Sequence, residues 1–340
     1  MKRMVMEGPG KIVWKEAEMP VRKPGEALLK ILYGGICGSD LSSYRGTMKY
    51  ITYPRTPGHE FSAQIVEIDE NNAKGLKAGD IVTAIPYFNC GHCYSCRKGL
   101  PNCCASNQTM GIHREGAFME YITLDDERLF DGKGLDPKTL ALVEPFCISY
   151  HGVKRLNLHG GERVLVIGAG TIGVLAAIAA MARGAEVTLC DVSRQKLDYA
   201  KRFGVQHTLL NSSPEAFSAG VKEMTGGDGF DVTVEAVGLP STFLNCMEAV
   251  SFGGKMLQIG VGKQNADFFF TTIQQKELTV IGSRNARRDD FEEAINLLAE
   301  GRFCIEDVVT NLYPLERAAD AFEDFHQNAG SMLKVMIDFR

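Results

Sequence analysis

The sequence has no internal repeat, no low-complexity tract and no long linker, so its 340 residues are expected to fill compact domains. Ordinary domain sizes make that about two. It also has little net charge: 37 basic against 42 acidic residues leave −5, which gives no reason to expect nucleic acid or an anionic membrane as a partner. The opening MKRMVMEGPG carries two basic residues, but Glu7 and Gly8 interrupt any apolar stretch, so no signal peptide is expected. One uncharged run, VLVIGAGTIGVLAAIAAMA at 164–182, has the length of a membrane span. Glycines 168, 170 and 173 divide it into a β-branched part and an Ala-rich part, which reads instead as strand, turn and helix. Without a secretion signal, the ten cysteines point to metal rather than disulfides and to a reducing, cytoplasmic compartment.

What is present falls into two textures. Roughly the first 130 residues read as strands and turns: EALLKILYGG and EFSAQIVEID alternate in the β manner, and KAGDIVTAIPY is a turn before a short apolar run. Within them GGICGSDLSSYRG, at 34–46, is too glycine-rich for a helix and too polar for a core strand, and is expected to be a loop. After Glu144 the pattern becomes strand (RVLVIGAG), helix (TIGVLAAIAAMARG) and strand (AEVTLCDVS), the βαβ signature of a parallel sheet. The alternation continues through QKLDYAKRFG, GFDVTVEAVG, STFLNCMEAV, GKMLQIGVG and LTVIGSR. DDFEEAINLLAEG then reads as an amphipathic helix and KVMIDF as a last strand, in a tail that returns to the first domain.

Gly168-Ala-Gly170-Thr171-Ile172-Gly173 follows an apolar strand and opens a helix, and Asp191 stands at the end of the next strand. Glycines there permit a tight turn, close approach of the backbone to a pyrophosphate and close helix–strand packing. The helix N-terminus offers free N–H groups to the phosphates. Asp191 suits the ribose hydroxyls of NAD and would repel the 2′-phosphate of NADP, although Arg194 keeps the NADP reading open. Lys196 is placed to flank the adenine ribose. Val237 and Gly260, in the two later strand segments, are counted as further cofactor contacts.

Cys90-x2-Cys93-x2-Cys96-x7-Cys104 has four thiols close enough in sequence to close a tetrahedron around zinc, with no open position and hence a structural role. Cys103 competes for the fourth place, His92 is expected to point outward, and an iron–sulfur cluster would satisfy the same cysteine count. A second set of ligand types is dispersed: Cys37, then Gly58-His59-Glu60, then Glu144-Pro145. Three protein ligands and water is the pattern of catalytic zinc, but spacing alone cannot bring these residues together.

From GICGSD and GHE, through the cysteine loop and EPF, to GAGTIG and its aspartate, the chain resembles the zinc-dependent medium-chain dehydrogenases, relatives of alcohol and sorbitol dehydrogenase. The resemblance runs over essentially all 340 residues. It implies an α/β fold in which a GroES-like β-rich catalytic domain, 1–146 and 284–340, surrounds a Rossmann doubly wound parallel-sheet domain, 147–283, that binds NAD. It implies two zinc ions per chain. Cys37, His59 and a carboxylate, Glu60 or Glu144, would hold the catalytic one; Cys90, Cys93, Cys96 and Cys104 would hold the structural one. Asp40 matches an aspartate that hydrogen-bonds the zinc histidine, and Ser39 a hydroxyl that contacts the substrate oxygen and takes its proton. Glu144 stands where the alcohol dehydrogenase branch has cysteine, as in the polyol and sugar branch. Ser42 departs from the family, many of whose members carry a proton-relaying histidine there; Tyr44 is then a candidate relay.

GIHREGAFMEY, EPFCISYHGVKR and GSRNARRDDF look most like L-galactonate and L-gulonate 5-dehydrogenases, which oxidise a secondary hydroxyl of a hexonate. Arg284 and His113 are the candidate partners for the substrate's carboxylate or hydroxyls. Arg114, Arg287 and Arg288 read equally well as surface charge. Sorbitol, another polyol or threonine is the alternative substrate, and a non-catalytic protein that keeps zinc and NAD is the rival of another class. The family implies a dimer or tetramer acting on a small molecule.

Overall fold

The computed structural model describes residues 1–340. They divide into two units, Met1–Glu144 with Arg287–Arg340, and Pro145–Ala286. The sequence placed the breaks after residues 146 and 283; the observed ones follow 144 and 286. The first falls inside the helix Val143–Arg155, whose opening turn, with Glu144, goes with the β-rich unit.

In the first unit β1 (Lys2–Gly8) and β2 (Lys11–Glu16) form an antiparallel ribbon. The main sheet is built on β3 (Glu26–Ile36), β4 (Glu60–Glu67) and β5 (Ile81–Ala84). The short strands β6 (Tyr87–Phe88) and β7 (Gln108–Thr109) pair with each other, while β8 (Tyr121–Asp125) and β9 (Leu129–Asp131) join the main sheet. The second unit contributes β10 (Arg163–Ile167), β11 (Glu186–Asp191), β12 (His207–Leu210), β13 (Phe230–Glu235), β14 (Val250–Gln258) and β15 (Thr279–Gly282). The chain then returns with β16 (Val309–Pro314) and β17 (Lys334–Asp338), giving the order β16-β17-β3-β4-β5-β9, with β8 also on β3.

β3 shows how the sequence shapes the first unit. Its alternating part buries Ala27, Leu29 and Ile31 in the core, and its Gly34-Gly35 end lets other groups approach the backbone. Gly35 lies opposite Glu60 across the β3–β4 register. A Cβ on Gly35 would lie 2.3 Å from Glu60 Oε2, so only glycine leaves room for that carboxylate.

Residues 34–46 are not the expected loop. After β3 ends, Gly38–Tyr44 is a helix with Cys37 at its N-cap. Asp40 Oδ2 accepts the Cys37 N–H at 3.0 Å, supplying the cap, while Leu41 and Tyr44 bury on the core side. One glycine at the first helical position costs little beside those contacts.

The second unit is a six-stranded sheet, parallel throughout, in the order β12-β11-β10-β13-β14-β15. Val164 to Ile167 are buried on both faces, as a central parallel strand requires. The strand order reverses between β10 and β13, and a doubly wound sheet takes its ligand at the carboxyl ends of the strands there. The uncharged run resolves into β10, a glycine turn and the helix Thr171–Met181; no helix is long and apolar enough to cross a membrane. Gly173 lets this helix close on the turn, since a Cβ there would sit 1.7 Å from the Gly168 carbonyl oxygen. Gly173→Ala is therefore expected to force the turn open and weaken NADH binding at least about tenfold while leaving metal content unchanged. Fluorescence titration and metal analysis check this.

Candidate metal centres and dinucleotide site

Three of the dispersed ligand types converge. Cys37 at the β3–helix junction and His59 and Glu60 at the start of β4 bring their ligand atoms within 4.8 Å of one another. His59 and Glu60 are 4% and 1% exposed. The His59 ring is oriented by its neighbours: Nε2 lies 3.5 Å from Ser39 Oγ, and Nδ1 faces Asp40 Oδ1. That Asp40 contact spans 3.9 Å, so the expected hydrogen bond is replaced by a looser ion-pair distance. Asp40 Oδ2 is already engaged at the Cys37 N–H, which limits how far the carboxylate can turn towards the ring.

The electrostatics of the cluster are dominated by burial. Burial raises the Asp40 carboxyl above its ordinary range. It opposes protonation of His59, but the charges of Asp40 and Cys37 outweigh it and push the imidazole up. Glu144, in the first turn of Val143–Arg155, is raised to about 7 by burial, with Glu60 adding to the rise. Its carboxylate lies outside the tight cluster and accepts the Tyr87 hydroxyl instead.

One cation faces these acids. Lys334, first residue of β17 and 4% exposed, donates to both oxygens of Glu60, at 2.7 and 2.6 Å, and lies 3.3 Å from the Ile36 carbonyl oxygen. Burial lowers its proton affinity, but Glu60 outweighs that and holds it charged. Sequence reasoning missed Lys334 and Tyr87. Lys334 opens the KVMIDF strand and Tyr87 ends the KAGDIVTAIPY run, and neither stretch signals a distant partner.

The donor set fits zinc: a thiol, an imidazole and a carboxylate, a soft and borderline mixture whose ligand atoms already lie within reach of one another. The second set fits a closed site. The sulfurs of Cys90, Cys93, Cys96 and Cys104 lie within 4.8 Å of one another, with Cys93 and Cys96 at 3.5 Å, too far for a disulfide. Backbone N–H groups of Cys90 and Cys93 point at Cys104 and Cys90 sulfurs, both at 3.3 Å. N–H groups of Ala105 and Cys96 lower the Cys93 thiol to about 6, while burial pushes Cys96 up to about 12. Cys103 is not in the cluster, and His92 is exposed with Nδ1 2.7 Å from the Cys90 carbonyl.

In the second unit Gly168 and Gly170 lie in the turn between β10 and the helix that starts at Thr171, with Ile172 and Gly173 in the helix's first turn. Asp191 ends β11 and stitches the turn together: Oδ2 accepts Ala169 N–H at 2.7 Å and Oδ1 Ser193 N–H at 2.8 Å. Gly170 caps the helix with no side chain, and a Cβ built there meets open space, so a phosphate has room against the N–H groups. The turn thus fits a dinucleotide. Arg194 and Lys196 open the next helix, where the Lys196 N–H is capped by Ser193 Oγ. Val237 follows β13 and Gly260 follows β14, at the same edge of the sheet.

Residues 23–133 match the model of the alcohol dehydrogenase GroES-like domain, and 171–300 that of the zinc-binding dehydrogenase. The chain is 35% identical over 339 residues to L-galactonate-5-dehydrogenase of Escherichia coli (strain K12), covering 100% of this chain and 99% of that one. The chain belongs to the zinc-type alcohol and sorbitol dehydrogenase family of medium-chain dehydrogenases. It is similar in structure to L-idonate 5-dehydrogenase of E. coli K-12, with 27% identity, a TM-score of 0.88, and 99% and 97% of the two chains covered. An alcohol dehydrogenase of E. coli CFT073 complexed with cofactor NADH gives 27% identity, a TM-score of 0.91 and 99% coverage of both chains. Members of this family are oxidoreductases on CH–OH donors, and the GroES-like and Rossmann halves agree with the two sheets.

The other expected residues are more scattered. His113 is exposed, takes the Thr109 N–H on Nδ1 at 3.1 Å and stacks on Tyr50 at 6.4 Å between ring centroids. Arg284 is exposed just beyond β15. Ser42 Oγ donates to the Gly38 carbonyl at 2.9 Å. Tyr44 does not suit a relay: its hydroxyl donates to Glu323 at 2.8 Å, and burial raises it to about 12.

Cys104→Ser is expected to remove one metal equivalent per chain and lower Tm, whereas Cys103→Ser leaves both unchanged; metal analysis and calorimetry check the pair. Lys334→Met strands the Glu60 charge, which costs about 3–5 kcal/mol in a buried pair. Because a metal would compensate that charge, thermal melts with and without chelator are expected to show the larger loss in the metal-free protein.

Proposed function

We propose that this dehydrogenase uses NAD and a catalytic zinc to oxidise a secondary hydroxyl of a sugar acid or polyol to a ketone, with L-galactonate or L-gulonate at C5 as the first candidates. The convergence of Cys37, His59 and Glu60 carries the reading, since it supplies three ligands of catalytic type beside a serine hydroxyl. Similarity to L-galactonate-5-dehydrogenase and L-idonate 5-dehydrogenase supports the sugar-acid class. Asp191 supports NAD over NADP, because a fixed carboxylate at the end of β11 repels a 2′-phosphate. The β-rich unit is the catalytic domain in this reading, and the parallel-sheet unit binds the cofactor.

Zinc supplies a Lewis acid that makes an alcohol easier to deprotonate near neutral pH, and NAD supplies the hydride acceptor. Cys37, His59 and Glu60 hold the metal; Glu144, on its Tyr87 hydrogen bond, is the alternative carboxylate. A second, structural zinc belongs to Cys90, Cys93, Cys96 and Cys104. Ser39 Oγ takes the alcohol proton as its own hydroxyl proton passes to water, which reaches this half-buried side chain; its 3.5 Å approach to His59 Nε2, on the ligand side of the imidazole, supports that role. Asp40 faces the opposite nitrogen, favouring the tautomer with the proton on Nδ1 and leaving Nε2 free to coordinate. Arg284 and His113 are the candidates to meet the substrate's carboxylate or hydroxyls.

Purified protein with NAD is to be assayed against hexonates and neutral polyols while zinc is quantified. Turnover of hexonates is expected, and activity confined to neutral polyols sinks the sugar-acid assignment. Cys37→Ala is expected to abolish turnover and leave NADH binding largely intact. Ser42→His introduces a group titrating at about pH 6–7 and is expected to change the pH profile of turnover with zinc content unchanged.

A further inference from the structure

A buried acid at the carboxyl edge of the parallel sheet has no part in the scheme above. Glu235, the last residue of β13, is 0% exposed. Its Oε1 accepts the N–H groups of Val237 and Gly238 at 3.0 and 2.8 Å and the Thr242 hydroxyl at 2.6 Å. Its Oε2 accepts Gln258 Nε2 at 2.5 Å, and the same amide donates to the Gly260 carbonyl at 2.7 Å. The Glu235 main-chain oxygen also accepts the N–H groups of Ile259 and Gly260, at 2.9 and 3.0 Å. One residue therefore fixes the path of the chain after β13 and after β14.

These two strand ends lie against the dinucleotide turn. A Cβ on Gly168 would fall 2.6 Å from Val237 Cγ2, and one on Gly260 would fall 2.3 Å from Glu235 Oε2, so neither loop has slack. The half of the sheet formed by β10, β11 and β12 carries the glycine turn and Asp191, which leaves the other nucleotide of a dinucleotide to the β13–β15 half. In NAD that other nucleotide bears the nicotinamide, a cation when oxidised and neutral when reduced. Glu235's partners are two amide N–H groups, a hydroxyl and a carboxamide, all donors and none charged. Every one of them donates, which is what the acceptor-only oxygens of a carboxylate take, and none brings a positive charge to it.

We propose that Glu235 is a positioning residue for the nicotinamide half of the cofactor, and that its buried charge favours the oxidised over the reduced form. The inference rests on the NAD reading above. An uncancelled anion inside a dry sheet edge attracts a nearby cation more strongly than one in water does, whereas a neutral ring gains nothing from it. The hydrogen-bond network serves both cofactor forms alike; the charge separates them.

Calorimetric titration with NAD and with NADH tests this. Glu235→Gln is expected to weaken both forms and to raise the ratio of Kd for NAD to Kd for NADH about threefold or more. Thr242→Val removes one tether but keeps the charge, so it is expected to weaken both forms by the same factor and leave the ratio unchanged. Folding of each variant is checked by circular dichroism. If Glu235→Gln does not fold, Gln258→Lys sets a cation against the same oxygen and is expected to raise the ratio in the same direction. An unchanged ratio in the folded charge-altering variant overturns the discrimination. Unchanged affinities for both forms in folded Glu235→Gln, or in Thr242→Val where Glu235→Gln does not fold, overturn the positioning. A wild-type protein that binds neither form sinks the NAD reading itself, a different result from either.

Discussion

Burial of charge at one end of the β3–β4–β17 sheet is the constraint on which the first unit depends. Glu60 and Lys334 are 274 residues apart and almost wholly out of water. Neither is tolerable there alone, because an unpaired buried charge loses its hydration with nothing in return. The pairing is possible only because β17 runs antiparallel to β3, with Val335 opposite Ile36, which brings Lys334 to the point where β3 gives way to Cys37. The return of the chain's last segment is thus part of the candidate metal site, and Gly35 is part of it too, since it clears the space that Glu60 occupies.

The second unit answers a different demand: backbone must come close to a ligand and to itself. Gly173 is held against the Gly168 carbonyl, and Asp191 ties the turn's Ala169 N–H and the Ser193 N–H that follows β11 to one carboxylate. On the other side of the strand-order reversal Glu235 does for the β13 and β14 loops what Asp191 does for the glycine turn. Each is a carboxylate at a strand end that accepts main-chain N–H groups, so charge-assisted hydrogen bonds set the shape of both halves of the sheet's edge.

What could be read from the sequence follows from how far apart the cooperating residues lie. The cysteine loop and the glycine turn are short, and their spacing already limits what they can form. The parallel strands announce themselves as continuous apolar runs such as Val164–Ile167. The residues that escaped notice act across the chain: Lys334 on Glu60, and Tyr87 on Glu144. Nothing near Lys334 in sequence distinguishes it from a solvent-exposed lysine at the head of a strand. Glu235 escaped for another reason, because a lone acid closing an apolar strand looks like the end of burial when it is buried completely.

Residues 37–44 show how a motif can be found and its geometry still be misjudged. Composition argued for a loop, yet the segment is a helix, because Asp40 caps it through the Cys37 N–H and Leu41 and Tyr44 bury beneath. That cap has a chemical consequence. The carboxylate oxygen that closes the helix holds Cys37 in place, while the other faces His59 at 3.9 Å. Asp40 therefore links two of the three clustered donors through one rigid group, so a change in the helix start and a change in the orientation of the imidazole are the same event.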